Sequence, residues 1–258
     1  MSSQTSTTTR ALPTITLIVP ALNEEKLIVE TVEQIVEVAE GRFADYEVLL
    51  IDDGSTDATG NLMDGLAGRN PRIRVFHNDG NIGLGASYHL GVAHARFEYV
   101  MLLCGDGGMP ASSLPTIFDK IGVADIVVPY CENLKQIKGP GRYRLSRTYT
   151  TLLNTLFGLR LNYYNGLPVH RVELVRSVGG RSDGFGFQAE ILVPLLRAGH
   201  SYVQVGVKGA EKTNRSSALR WKNVVSVSRT LGGLFVQVYL KRGQGRSAPG
   251  APGQVYER

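Results

Sequence analysis

The stretch TITLIVPALNE, residues 14–24, begins as an apolar run and ends in polar residues. Residues 14–19 are apolar and β-branched and are stopped by Pro20, which predicts a buried parallel strand. Asn23 is suited to cap a following helix, because its side chain can accept a hydrogen bond from a first-turn N–H. That predicted helix has one apolar face, made by Ile28, Val32, Ile35, Val36 and Ala39. A strand followed by an amphipathic helix is typical of a βαβ unit.

The same alternation continues to residue 130. Further strands are predicted at residues 46–51, 73–77, 99–103 and 126–130, with helices at 56–67, 87–95 and 114–121 between them. This order favours an α/β fold with a mixed, mainly parallel sheet flanked by helices. Ligands bind such sheets beyond the carboxyl ends of the strands. Polar clusters fall at these ends: Asn23-Glu24, Asp52-Asp53, residues 78–81 and Asp106.

The second half of the chain has a different pattern. We expect a basic helix at residues 142–159, a second helix at 187–198, a strand at 203–207 and a long amphipathic segment at 219–241. No linker or repeat interrupts residues 13–242, so this part is predicted to be a single domain. Residues 1–12 are expected to be disordered, and the Gly- and Pro-bearing residues 243–258 to form a flexible tail.

The charge of the chain favours anionic partners. Its 258 residues carry a formal net charge of +5, and the isoelectric point is about 9.2. Nucleotide diphosphates, lipid phosphates or an acidic membrane surface would suit this balance, although it equally serves solubility alone. No nucleic acid is expected among the partners.

The location of the protein is predicted from what its sequence lacks. Residues 1–10 have no apolar core of a secretory signal, and no uncharged apolar run approaches the roughly 20 residues of a spanning helix. Two cysteines, Cys104 and Cys131, are too few for a disulfide framework. We therefore expect a cytoplasmic protein, with any membrane contact peripheral and at the inner face.

A second motif, DDGSTD at residues 52–57, follows directly on a predicted strand. A carboxylate at a strand end can accept a hydrogen bond from a base N–H, and Gly54 allows a tight turn. Alone, the motif also fits a capped strand–helix turn with no ligand. Together with IVPALNE at residues 18–24, about thirty residues earlier, it resembles the opening signature of family 2 glycosyltransferases.

This resemblance implies the GT-A fold, which is Rossmann-like, and a nucleotide-diphosphate sugar as donor. Pro20 and Glu24 would lie against the base and ribose, Asn23 would belong to the same site, and Asp53 would read the base. Residues 13–130 would form the nucleotide-sugar half of the domain, and residues 131–242 the acceptor half.

The segment NIGLGASY, residues 81–88, narrows the resemblance to polyprenyl-phosphate (dolichol-phosphate) sugar synthases. Gly83 and Gly85 would there let the backbone approach the donor diphosphate at a helix N-terminus. A dinucleotide-binding fingerprint does not fit these glycines, because the third glycine is absent and the first strand lies elsewhere.

Later residues resemble the acceptor side of the same synthases. Arg144, Ser146 and Arg147 match a basic helix that faces the acceptor phosphate, where the planar fork of arginine suits phosphate oxygens. Arg171 falls where these proteins have a basic residue, and Gln188 and Glu190 lie in a Gly-aromatic-x-Phe-Gln-x-Glu motif near the acceptor. Taken singly, each basic residue would fit a solvated helix face equally well.

The metal motif of the family, Asp-x-Asp, reads Cys104-Gly105-Asp106 in this chain. Mg²⁺ and Mn²⁺ prefer oxygen ligands, so the thiol is a poor substitute for the first carboxylate. Three interpretations stay open, in this order: weak metal binding through Asp106, neutralisation of the diphosphate by cations such as Lys212 and Arg215, or an inactive binding protein.

The resemblance implies an inverting, in-line displacement at the anomeric carbon. Asp106, through a metal, would stabilise the leaving diphosphate, and Arg147 would position an anionic lipid phosphate. If the acceptor is instead a sugar hydroxyl, Glu190 is the candidate general base. Three functions are therefore considered: a polyprenyl-phosphate glycosyltransferase at a membrane face, a transferase acting on a glycan or small-molecule scaffold, and a non-catalytic nucleotide-sugar binder.

Overall fold

The computed structural model describes residues 11–178, 186–209 and Leu234. A seven-stranded sheet organises this part of the chain. Its strands are β1 (Thr14–Ala21), β2 (Asp45–Asp52), β3 (Ile73–His77), β4 (Tyr99–Leu102), β5 (Ile126–Cys131), β6 (Val169–Arg171) and β7 (Tyr202–Val207). They lie in the order β3-β2-β1-β4-β6-β5-β7, and all neighbours are parallel except that β6 runs antiparallel to β4 and β5. The predicted α/β class with a mixed, mainly parallel sheet is confirmed.

Helices connect the strands on both faces of the sheet. They are α1 (Ile28–Ala39), α2 (Thr59–Arg69), α3 (Leu84–His94), α4 (Leu114–Phe118), α5 (Leu134–Ile137), α6 (Pro140–Phe157), α7 (Val172–Val178) and α8 (Phe187–Arg197), with a short 3-10 helix at Ala111–Ser113. In the described residues, none of these helices combines the length and the apolarity that a bilayer crossing requires.

The sheet separates two apolar clusters because successive side chains of a strand point to opposite faces. Leu17 and Val19 of β1 pack in one cluster, with the buried face of α1. Ile18, between them, packs in the other cluster, with residues of α3, α6 and α8. Both faces of β1 are therefore buried, as its unbroken apolar sequence predicts.

Two local expectations about the first helices are corrected. α1 begins at Ile28 with Leu27 at its N-cap position, so Asn23 caps no helix. α3 begins at Leu84, three residues before the predicted start, because Gly83 occupies the N-cap position with a φ of +92°. Strand β6 is only three residues long, too short for a periodicity to reveal it.

Several expectations fall outside the described residues. These are the N-terminal segment at residues 1–10, the amphipathic segment at 219–241 apart from Leu234, the tail at 243–258, and the cations Lys212 and Arg215.

Candidate nucleotide-sugar site

The loop after β1 is tied to the loop after β2. The side-chain oxygen of Asn23 accepts a hydrogen bond from the Thr56 N–H at 2.8 Å, and the Asn23 N–H donates to the Ser55 hydroxyl at 3.0 Å. The Glu24 N–H donates to the hydroxyl of Thr59 at 2.8 Å. Asn23 thus joins two loops at the carboxyl edge of the sheet, which is where the sequence places it, although it does so without capping a helix.

Asp53 is the central residue of this edge. Its side chain is 5% exposed, and its carboxylate accepts hydrogen bonds from the Asn78 amide at 3.1 Å, the Ile82 N–H at 2.9 Å and the Gly83 N–H at 3.0 Å. Its own N–H donates to the Ala21 carbonyl at 2.9 Å. Because three donors of the chain already occupy the carboxylate, Asp53 holds the loop that leads into α3.

The turn at Gly54 brings two glycine-bearing loops into contact. Gly54 has a φ of +78°, and a Cβ atom at this position would lie 2.5 Å from the backbone carbon of Gly80. A side chain would therefore be both strained and too close. The predicted need for glycine in the DDG turn has a direct structural reason.

Asp52 supports the same turn from inside the sheet edge. Its carboxylate accepts a hydrogen bond from the Ser55 N–H at 2.9 Å and lies 3.1 Å from His77 Nδ1. Burial alone would raise the pKa of Asp52, but the hydrogen bonds from Ser55 and His77 outweigh it, so the pKa lies below its ordinary value. His77 also contacts Asp64 at 3.1 Å, and its hydrogen bonds to Asp52 and Asp64 raise its pKa.

The N-terminus of α3 faces the candidate site. Gly83 stands at the N-cap position and no side chain caps the helix. Leu84, the first helical residue, lines a cavity that also contains Asp106. Gly85 is buried in the first turn. The placement of Gly83 and Gly85 suits a diphosphate, because helix N-termini present N–H groups and partial positive charge to anions.

Asp106 is positioned by backbone bonds to β1. The Leu103 N–H donates to the Ile18 carbonyl at 2.8 Å, and the Gly105 N–H donates to the Pro20 carbonyl at 3.1 Å. The Asp106 carboxylate then accepts the Gly108 N–H at 2.9 Å. The loops that carry Pro20, Asp53 and Asp106 are therefore held together at one margin of the sheet.

A cavity of about 350 Å³ opens beyond this margin. The ionisable side chains that line it in the described part of the chain are one carboxylate, Asp106, three cations, Lys138, Arg142 and Lys208, two cysteines, Cys104 and Cys131, and two tyrosines, Tyr130 and Tyr163. Lys138 is fixed by hydrogen bonds to the Tyr163 hydroxyl at 2.9 Å and the Ser146 hydroxyl at 3.2 Å. The balance of these charges is positive, which suits phosphate groups.

The basic helix predicted near the acceptor is α6, but its residues divide between two faces. Ser146 contacts Lys138 at the cavity, whereas Arg144 and Arg147 are exposed. Arg142 lines the cavity, one helical turn before Ser146. The sequence alone does not point to Lys138 or Arg142. The four-residue spacing of Arg142 from Ser146 within α6 is a signal that could have found Arg142. Lys138 lies before α6, at the end of α5, and has no such signal.

Arg171 lies away from this site, and its expected acceptor contact is corrected. It pairs in register with Tyr99, the first residue of β4, and so lies at the edge opposite to Asp106. Its guanidinium forms ion pairs with Glu98 and with Asp125. The physical reason is the reversed direction of β6, which carries its last residue to the amino ends of the parallel strands.

Gln188 and Glu190 both lie on α8. Gln188 is 2% exposed and lines the cavity. Its predicted contact with the acceptor stays a prediction. Glu190 is close to Tyr149, whose pKa is raised first by burial and then by the negative charge of Glu190.

The cavity offers one carboxylate to a divalent cation. Asp106 and Cys104 both line it, and the described residues contain no cluster of three or more His, Cys, Asp or Glu side chains that could hold a metal. Mg²⁺ keeps several waters and takes one or two carboxylates together with substrate phosphates, so Asp106 with a donor diphosphate is a sufficient, although minimal, ligand set. The residues therefore fit a metal that is held jointly with the substrate.

A mainly parallel sheet with acidic and glycine-bearing loops at one margin, beside a positively charged cavity, defines an α/β protein whose ligand site lies beyond the carboxyl ends of its strands. The family "Glycosyl transferase family 2" matches residues 16–176, which is more than half of the chain. The chain belongs to this family.

Two curated relatives are similar to the chain in sequence, and a solved structure is similar to it in fold. The chain is 25% identical over 197 residues to undecaprenyl-phosphate mannosyltransferase from Micrococcus luteus, covering 71% of this chain and 81% of that protein. It is 28% identical over 127 residues to glycosyltransferase GlyG from Streptococcus pneumoniae, covering 48% of this chain but only 41% of that protein. Glucosyl-3-phosphoglycerate synthase from Mycobacterium tuberculosis, solved with Mg²⁺ and uridine diphosphate, shares the fold with a TM-score of 0.63 at 20% identity, covering 86% and 79% of the two chains. The predicted GT-A fold is thereby confirmed.

Proposed function

We propose that this protein is an inverting glycosyltransferase that moves a sugar from a nucleoside-diphosphate donor to a lipid phosphate of the polyprenyl type. The observation that carries the proposal is the cavity, where Asp106 lies together with the cations Lys138, Arg142 and Lys208. Such a cavity can hold two anionic groups, the donor diphosphate and the acceptor phosphate, with the transferred sugar between them.

The donor is held by the loops at the sheet margin. Pro20, Asn23 and Glu24 form one side of the proposed base and ribose site, and Asp53 supports it through the loop that ends at Gly83. The diphosphate would lie between the N-terminus of α3 and Asp106. Mg²⁺ or Mn²⁺ bound by Asp106 would act as a Lewis acid toward the leaving diphosphate.

The acceptor is positioned by cations. A lipid phosphate is already anionic near neutral pH, so its oxygen can attack the anomeric carbon without a general base. The new bond from that oxygen forms as the anomeric C–O bond to the diphosphate breaks, and the electron pair leaves with the nucleoside diphosphate. Lys138 and Arg142 would hold the phosphate in line, while Arg144 and Arg147 lie further out along α6.

Contact with a membrane surface is part of the proposal. Leu145 and Leu152, seven residues apart on one side of α6, are 50% and 40% exposed. The exposed Arg144 and Arg147 lie on the same helix. Apolar side chains flanked by arginines suit an interfacial helix that rests on anionic lipids, and this would bring the acceptor to the cavity. On this basis we propose that the protein works at a membrane surface.

The decisive experiment measures sugar transfer and donor hydrolysis. Purified protein is incubated with UDP-glucose, UDP-N-acetylglucosamine or GDP-mannose, with and without Mn²⁺, and with liposomes that do or do not contain undecaprenyl phosphate. Radiolabel transferred to the lipid supports the proposal. Transfer to a soluble glycan only would favour the scaffold-modifying alternative with Glu190 as base, and nucleotide-sugar binding without any turnover would identify a non-catalytic binder.

A further inference from the structure

Gln188 is a buried amide whose hydrogen-bonding groups are not used by the described part of the chain. It is 2% exposed, and neither its Oε1 nor its Nε2 has a hydrogen-bond partner there. Buried amide groups are normally paired, because burial removes the water that would otherwise satisfy them. Gln188 also lines the cavity that contains Asp106.

Asn165 presents a second amide to the same cavity from a different part of the fold. Its Oδ1 is buried and, within the described residues, has no partner. The position of the residue is fixed by its neighbour Gly166, where a Cβ atom would lie only 1.7 Å from the Pro129 carbonyl oxygen. The chain before β6 is thus pressed against β5, and Asn165 is held at the cavity wall.

Two side-chain amides elsewhere in the described chain, Gln204 and Asn154, are satisfied by the protein itself. Gln204 accepts the Asn162 N–H at 2.7 Å and donates to the Arg160 carbonyl at 3.0 Å. Asn154 bonds both the carbonyl and the N–H of Leu161, at 2.9 and 3.1 Å. Among the described residues, Gln188 and Asn165 are the amides with a buried side-chain atom that lacks a partner, and both line the cavity.

We infer that Gln188 and Asn165 bind hydroxyl groups of the transferred sugar and so help to select which sugar is transferred. An amide both donates and accepts, as a sugar hydroxyl does, whereas a phosphate only accepts at neutral pH. The cations of the cavity already serve phosphates, and the prenyl chain of a lipid phosphate has no hydroxyl groups. This inference rests on the proposed function, since it requires that a nucleotide sugar occupies the cavity.

The test compares the affinity of the protein for a nucleotide sugar and for the matching nucleoside diphosphate. Isothermal titration calorimetry is carried out with UDP-glucose and UDP, or with GDP-mannose and GDP if the wild type takes guanosine. In Gln188→Met and Asn165→Leu, which keep side-chain size but lose the amide, the nucleotide sugar should bind about tenfold more weakly. The affinity for the nucleoside diphosphate should stay within about twofold.

Thermal unfolding of the ligand-free variants separates substrate binding from a structural role. Removing an unsatisfied buried amide removes a cost, so Gln188→Met should melt no lower than the wild type. The matched control is Gln204→Met, which loses two hydrogen bonds of the protein and should melt lower. A marked fall in the melting temperature of Gln188→Met would mean that its amide stabilises the fold, and would overturn the inference.

The remaining outcomes show whether the hydroxyl groups belong to the donor sugar or to the acceptor, and whether the proposed function itself fails. If the donor affinities of the variants are unchanged but the KM of a glycan acceptor rises, the hydroxyls belong to the acceptor and the inference is wrong. If the wild type binds neither the nucleotide sugar nor the nucleoside diphosphate, the proposed function fails first. If the wild type binds both and Gln188→Met retains the full difference between them, the proposed function stands and this inference alone is rejected.

Discussion

Asp53 and Gly83, 30 residues apart in the sequence, are joined by a hydrogen bond of 3.0 Å from the Gly83 N–H to the Asp53 carboxylate. The bond connects the end of β2 to the N-cap of α3. The family resemblance implies that Asp53 reads the base, which stays a prediction. In the structure its carboxylate holds the N-terminus of α3, which is suited to bind a diphosphate. Changes at Asp53 should consequently affect folding and nucleotide binding together.

Replacement of Asp53 by alanine should weaken both. The Ile82 and Gly83 N–H groups and the Asn78 amide would lose their acceptor, so we expect a loss of about 2–4 kcal/mol in the free energy of unfolding. Nucleoside-diphosphate affinity should fall at least about tenfold, because the α3 terminus loses its support. Urea denaturation and calorimetry measure the two effects.

The control variant is Asp119→Ala. The Asp119 side chain is 65% exposed, so its replacement should change the free energy of unfolding by less than about 0.5 kcal/mol. Nucleotide affinity that survives Asp53→Ala unchanged would remove the residue from the site.

The sequence predicts the parallel half of this fold well, because apolar strands and amphipathic helices alternate with clear periods there. It does not predict β6, whose three residues carry no period, and the reversal of β6 is what places Arg171 at the wrong edge for an acceptor. Cavity residues such as Lys138 are equally hidden, since they are brought there by a short helix and a turn rather than by a motif. The positions of Arg171 and Lys138 depend on how segments distant in the sequence pack together, which a local sequence pattern does not reveal.

Gly54→Ala should be strongly destabilising. Its φ of +78° disfavours a side chain, and the new Cβ would lie 2.5 Å from the Gly80 backbone. We expect a loss of about 2–4 kcal/mol in the free energy of unfolding. Gly65→Ala is the matched control, because nothing lies within 4 Å of its Cβ position in α2. It should stabilise by about 0.5–1 kcal/mol, since alanine favours a helix. Equal effects of the two changes in urea denaturation would contradict the close packing of the Gly54 turn.

Cys104→Asp should strengthen metal binding. It adds a second hard ligand two residues before Asp106 on the same cavity wall. In a transfer assay, the Mn²⁺ concentration for half-maximal rate should fall about tenfold or more. Asp106→Asn should abolish turnover in both the wild-type and the Cys104→Asp background. Cys131→Ser, at the other cysteine of the cavity, should leave the Mn²⁺ dependence as it is. An active Asp106→Asn protein would exclude Asp106 as the metal ligand.

Lys138→Met should impair the use of a lipid phosphate more than the binding of the donor. Hydrogen bonds to the hydroxyls of Tyr163 and Ser146 hold the Lys138 ammonium group in one position at the cavity. Losing one charge-assisted contact to phosphate should raise the KM for undecaprenyl phosphate about tenfold, with donor KM changed by less than about threefold. Lys135→Met, an exposed lysine of the same helix region, is the control and should behave as the wild type. A selective effect on donor KM would instead assign Lys138 to the diphosphate.

His77 should make stability depend on pH in the neutral range. Its hydrogen bonds to Asp52 and Asp64 raise its folded-state pKa above the ordinary value of 6.5. The protonated form is thus favoured by folding. Its stabilising contribution is complete below pH 6.5 and is lost as the pH rises through the raised pKa.

The measurement is the melting temperature of the wild type minus that of His77→Gln between pH 5.5 and 9. This difference should be largest at the acidic end and should decline as the pH increases. The other titrating groups are the same in both proteins, so their contributions cancel in the difference. The effect is expected to be small, because the His77 side chain is 46% exposed and solvent screens the pair. The control variant is His200→Gln. His200 lies beside Asp125 and does not touch this edge of the sheet. A difference that grows with pH would reverse the sign of the linkage and show that folding favours neutral His77.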